Sequence, residues 1–79
     1  MEYFVYIIRS LKSGICYVGM AKEVENRLKE HNAGKSKFTK GHVPFELIYS
    51  EGPFETAEAR KREKYLKRSD AKKKIIENL

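Results

Sequence analysis

The sequence predicts an α+β fold: a three-stranded antiparallel sheet packed by helices, in the order β-β-α-β-α-α. Three observations carry that expectation. Tyr3 to Ile8 is an unbroken apolar, β-prone run, the pattern of a central strand covered on both faces. Ile15 to Gly19 is a second β-prone run, separated from the first by the polar turn Ser10-Leu-Lys-Ser-Gly14. Later segments carry helical spacing, with Ala59, position 63 and Leu66 on one stripe and Ile75, Ile76 and Leu79 on another.

The elements follow in order. In the first hairpin, Gly14 is free to take positive φ, and pairing Arg9 with Gly14 would set Tyr6 opposite Tyr17. A one-residue slip would send the two rings to opposite faces. Gly19 ends the second strand where the backbone turns tightly or approaches something closely. A helix over about Lys22 to Asn32 places Val24, Arg27, Leu28 and His31 on one face, with Gly34 as its C-cap. Ala33 to Val43 is a basic loop. Phe45 to Ser50 alternates Phe45, Leu47 and Tyr49 on one side of a third strand, and Gly52-Pro53 then breaks the chain. Thr56 caps a helix to about Lys67, and Ser69 caps a last one.

Seventy-nine residues make one domain, 1–79, with a modest core. In so short a chain, polar groups that point inward are informative. The net charge is +6, and nine of 17 Lys and Arg lie between Arg60 and Lys74, which points to nucleic acid or to a solvated helix surface. Lys22 and the loop residues Lys35, Lys37 and Lys40 are the expected nucleic-acid contacts. The single Cys16 excludes an intrachain disulfide and a cysteine-cluster zinc site, and makes the cytoplasm the expected compartment. No apolar run is long enough for a membrane span, and no signal peptide is visible.

Glu63 stands where an apolar residue is expected. Either it is buried and needs a cation or a shifted pKa, or the helix is rotated slightly and it pairs with Lys67. Tyr6 and Tyr17 are catalytic phenols or ordinary core rings. Arg27 serves a developing negative charge or lays its stem on the apolar stripe. His31 handles protons or complements the helix C-terminus. Together these residues supply the parts for hydrolysing a phosphodiester with one metal ion.

The same residues resemble the GIY-YIG nuclease superfamily. Phe4-Val5-Tyr6 matches the first signature triplet and Tyr17-Val18-Gly19 the second, with Arg27 and His31 at the positions of the helix arginine and histidine. Ala59 to Lys67 resembles the segment with the metal-binding glutamate. Tyr17 to Leu28 is similar to the nuclease domain of the bacterial excision-repair enzyme. His31-Asn-Ala-Gly-Lys35 and the overall length look like the small stand-alone bacterial, YhbQ-like members.

The resemblance implies a Mg²⁺- or Mn²⁺-dependent endonuclease with weak sequence preference, acting on nucleic acid, chiefly DNA, in repair or recombination. It implies Tyr6 and Tyr17 as the groups that position and deprotonate water, and Arg27 as the stabiliser of the pentavalent phosphate. His31 would orient a tyrosine or shuttle a proton, Glu63 would be the metal ligand, and Gly19 would allow close approach. A catalytically silent binding module and a purely structural protein are the alternatives. Phe4 replaces the glycine of the first triplet, valines replace both isoleucines, and Met20 stands where some relatives carry lysine. The asparagine that larger members carry has no clear counterpart here.

Overall fold

The computed structural model describes residues 2–79, so Met1 of the expected domain lies outside it. The order is β1 (Glu2–Ser10), β2 (Cys16–Ala21), α1 (Val24–Asn32), a 3-10 turn (Lys40–His42), β3 (Phe45–Glu55), α2 (Thr56–Leu66) and α3 (Ser69–Glu77). The strands form an antiparallel sheet in the order β2-β1-β3, so β1 is central and the expected class and element order are found. No described helix is long and apolar enough to cross a membrane.

The unbroken apolar run of β1 feeds two cores. Val5 and Ile7 point to one face and pack with Val18, Ala59, Leu66 and Ala71, which places α2 and α3 there. Tyr6 and Ile8 point to the other face and pack with Phe45, Tyr17, Val24 and Leu28, under α1. Val5, Ile7, Ile8 and Leu66 are fully buried, each contributing about 1.5–3 kcal/mol through lost apolar surface. Helix α2 is also tied to β3 by a bidentate ion pair, Arg62 Nε and Nη2 donating to Glu51 at 2.6 and 2.9 Å. Those bonds hold the Glu51 carboxyl below its ordinary range.

The hairpin differs from expectation by one step. Ser10 N donates to Ile15 O at 2.8 Å, so the four-residue loop sits one residue later than the sequence suggested. Tyr6 therefore lies opposite Gly19, and Tyr17 opposite Ile8. Moving a loop by one residue shifts the register by two, and a two-residue shift preserves the face. Both rings thus stay on the α1 side. The Ser10 hydroxyl fixes the loop: it accepts from Lys12 N and Ser13 N at 3.1 and 2.9 Å and donates to His42 O at 2.5 Å.

Strand β3 brings two further corrections. Register irregularities fall between Ile7 and Ile8 and between Tyr3 and Val5. The first breaks the expected alternation: Phe45 packs on the α1 side, whereas Ile48 and Tyr49 pack on the α2 side. The second lets β3 run on through Gly52-Pro53 to Glu55 instead of ending there, with Gly52 at φ +130. Neither Thr56 nor Ser69 is a cap. Glu55 and Arg68 hold those positions without a side-chain cap bond, and both hydroxyl residues are already helical.

Candidate active site

The site grows from the middle of β1. Tyr6, 1% exposed, lies across Gly19 of the neighbouring strand, where a Cβ would meet Tyr6 Cζ at 2.6 Å. Only glycine leaves room for the ring there. The phenol then reaches α1: Tyr6 Oη lies 3.0 Å from His31 Nε2. His31 is fully buried, and its other ring nitrogen, Nδ1, lies 2.8 Å from Thr39 Oγ1. Tyr17 packs edge-on against the same imidazole, ring centroids 5.3 Å apart, and Phe45 closes the far side at 6.3 Å.

Arg27, one turn before His31, is half-buried and bonds Glu30 Oε1 at 2.8 Å. Glu30 and Tyr6 keep the guanidinium firmly charged. Burial pushes the Tyr6 phenol up to about 12, against the pull of Arg27, which acts to lower it. Burial first, and then the Arg27 charge, holds His31 below its ordinary value. At neutral pH this is a protonated phenol bonded to a neutral imidazole. Two tautomers satisfy both imidazole contacts. In one, Tyr6 donates to Nε2 and Nδ1–H donates to Thr39. In the other, Thr39 donates to Nδ1 and Nε2–H donates to Tyr6.

Glu63 lies elsewhere. It projects from α2 on the opposite face of the sheet, between Ala59 and Leu66 on the buried stripe, with its side chain 24% exposed. It lines a cavity of about 590 Å³ with Tyr3, Met20, Arg60, Lys64 and Lys67. Its carboxylate is 3.6 Å from Lys67 Nζ, so the expected i, i+4 pair is present alongside partial burial. It makes no hydrogen bond to the tyrosines, but its charge helps raise the Tyr6 pKa across the sheet.

Of the expected site residues, Tyr6, Tyr17, Arg27, His31 and Gly19 meet on the α1 face, and Glu63 approaches from behind. Lys35, Lys37 and Lys40 are exposed on the loop after α1. Lys22 is exposed too, its Nζ 5.8 Å from the Tyr3 ring centroid. His42, in the same loop, bonds Ser13 Oγ through Nδ1 at 3.0 Å. Two residues were not expected in the site. Glu30 could have been found from its i+3 spacing to Arg27. Thr39 carries no sequence signal, since it sits in a polar loop that reads as exposed.

A phenol, an imidazole and an arginine gathered on one sheet face, with a carboxylate behind, are parts suited to phosphate chemistry. Compared with known families, residues 2–75 match the GIY-YIG catalytic domain, and the chain belongs to that family, a nuclease superfamily. Its relatives include a UPF0213 protein of Staphylococcus saprophyticus, 37% identical over 94% of this chain and 90% of that protein. A UPF0213 protein of Staphylococcus epidermidis is 40% identical over the same shares. The solution NMR structure of a UPF0213 protein from Bacillus halodurans superposes with a TM-score of 0.61 at 31% identity, covering 98% of this chain and 84% of that one.

Proposed function

We propose that this protein hydrolyses phosphodiester bonds of nucleic acid, with DNA as the first substrate to test and Mg²⁺ or Mn²⁺ as the cofactor. The observation that carries the reading is the buried Tyr6–His31 hydrogen bond of 3.0 Å beside the charged Arg27. A chain this small needs apolar filling at such a position, and leucine or phenylalanine would fill it without the cost of satisfying polar atoms.

The donor set limits how a metal would be held. Among the described residues no group of three or more His, Cys, Asp or Glu could bind an ion. Glu63 is the one carboxylate in its basic cavity, and a hydrated Mg²⁺ ordinarily takes one or two carboxylates and completes its shell with water and substrate phosphate. The residues fit that mode and no all-protein cage. When bound, the ion would supply charge neutralisation at the scissile phosphate.

The rest is the work of this chain's own side chains. The Tyr6 phenol orients the attacking water. Its own proton has a ready acceptor in His31 Nε2, with Thr39 Oγ1 receiving Nδ1–H behind it. Moving that proton before attack is uphill, because burial raises the phenol to about 12 and holds the imidazole below its ordinary value. Attack and proton transfer therefore occur together: the water gives its proton to Tyr6 Oη as the Tyr6 proton passes to His31 Nε2. Arg27 stabilises charge developing on the phosphoryl oxygens. Tyr17 holds the imidazole edge-on and keeps its plane fixed.

Nicking of supercoiled plasmid with Mg²⁺ tests the proposal. Activity should vanish with EDTA and fall sharply in Glu63→Ala and Tyr6→Phe, with the fold retained by circular dichroism. The Glu63–Lys67 contact of 3.6 Å favours a second reading, a catalytically silent nucleic-acid-binding module. Binding of branched, single-stranded and duplex DNA without cleavage of any would establish it. A flat salt dependence of binding would remove nucleic acid from both readings.

A further inference from the structure

Phe38 is 82% exposed, more than any other large apolar side chain among the described residues, in a chain that has few to spare. Its neighbours Lys35, Lys37 and Lys40 are exposed cations. The next residue, Thr39, points the other way: it is 1% exposed and bonded to His31 at 2.8 Å. The loop around it is also pinned by Lys40 N to Ser36 O at 2.9 Å, His42 N to Thr39 O at 2.9 Å and Ser10 Oγ to His42 O at 2.5 Å. Phe38 is thus an aromatic ring on a fixed arm, one residue from the hydroxyl that bonds His31 and flanked along the chain by exposed lysines.

We infer that Phe38 is a stacking platform for an unpaired nucleobase, so that the preferred substrate is nucleic acid with a single-stranded or splayed segment beside the scissile phosphate. This deepens, and rests on, the proposed nucleolytic function. The lysines attract the backbone, and the ring supplies what they cannot, a face for a base. Bases inside a duplex already have both faces occupied, so only an unpaired one can use the ring. A phenyl group has no donor or acceptor with which to read base edges, so the contact is sequence-tolerant. Phe38 and Thr39 are consecutive, so a base seated on the ring is held by the same loop residue pair that bonds His31 from the other side.

Binding is measured by fluorescence anisotropy in EDTA, with labelled single-stranded, splayed and blunt duplex DNA of equal length. Phe38→Ala should weaken single-stranded and splayed binding by about 5- to 100-fold and change blunt-duplex binding less than about twofold. The chain has no tryptophan, so Phe38→Trp introduces a lone reporter. Its emission should be quenched by single-stranded DNA and left unchanged by blunt duplex at saturation, with affinity restored. Equal loss on all three substrates, no loss on any, or an unquenched Trp at saturation overturns the platform while leaving the nuclease reading intact. A change of oligomeric state in Phe38→Ala would assign the ring to self-contact and also overturn it. If the wild-type protein binds none of the three, both readings fall together.

Discussion

Thr39→Val removes one hydroxyl and nearly nothing else. The side chains match in shape, so the substitution opens no cavity. It deprives His31 Nδ1 of a partner 2.8 Å away, at a residue with no exposed surface and hence no water to replace the bond. Leaving a buried polar nitrogen unsatisfied costs about 1–3 kcal/mol. For a domain of this size that lowers Tm by roughly 4–24 °C. The functional loss should be larger than the stability loss explains. An imidazole free to tilt no longer presents Nε2 to Tyr6, and small misplacements cost up to about 100-fold in rate. Thr39→Ser keeps the bond and drops a methyl, at about 0.5–1.5 kcal/mol. It should retain most of the activity. Urea unfolding and plasmid nicking of both variants at pH 7.5 read the two effects. A valine variant as stable and active as wild type would refute the role given to this bond, as would a serine variant that is equally impaired.

Two further outcomes follow from the same geometry. Gly19→Ala puts a Cβ against the Tyr6 ring, 2.6 Å from Cζ, and should cost about 1–3 kcal/mol by overpacking. The cost should shrink in a Tyr6→Leu background, and a double-mutant cycle showing no coupling would mean the ring is not where the structure has it. Burial holds His31 below its ordinary pKa, so the unfolded chain takes up a proton near 6.5 that the folded chain does not. Stability is then fully present above about pH 6.5 and lost as pH falls from there, by up to about 1.4 kcal/mol per unit. Urea midpoints at pH 7.5 and 5.5 should show His31→Asn losing less on acidification than wild type.

Element order and type could be read from the chain because each rests on a pattern that packing does not override. The continuous run in β1 is apolar on both faces because two cores use it, and the Ala59 and Leu66 spacing is the contact stripe of α2. The convergence of Tyr6, Tyr17, Arg27 and His31 was also readable, since it needs only strand parity and helical spacing. The hairpin register was not, because the Ser10 hydroxyl that fixes the loop also depends on one partner 32 residues away, His42 O. The extra residue at Ile48 leaves no trace in alternation until β1 and β3 are paired. Cap residues were misplaced by one position because Thr56 and Ser69 favour helix starts whether or not their hydroxyls bond. Thr39 stayed hidden because a polar residue in a basic loop reads as exposed. Glu63 could be marked as out of place in its stripe, but its distance from the phenols depends on how α2 crosses the sheet.

The proposed hydrolysis requires that Glu63 and the α1-face residues serve one phosphate from the two faces of the sheet. Mn²⁺-induced broadening of the protein's NMR signals, with and without a non-cleavable phosphorothioate oligonucleotide, decides it. With oligonucleotide present, broadening should centre on Glu63 and Met20 and extend through the sheet to Tyr6. Without it, one carboxylate among lysines should hold the ion only weakly. Broadening that appears elsewhere, or that reaches Glu63 and never Tyr6 when oligonucleotide is bound, would show that the carboxylate and the phenols do not share a site.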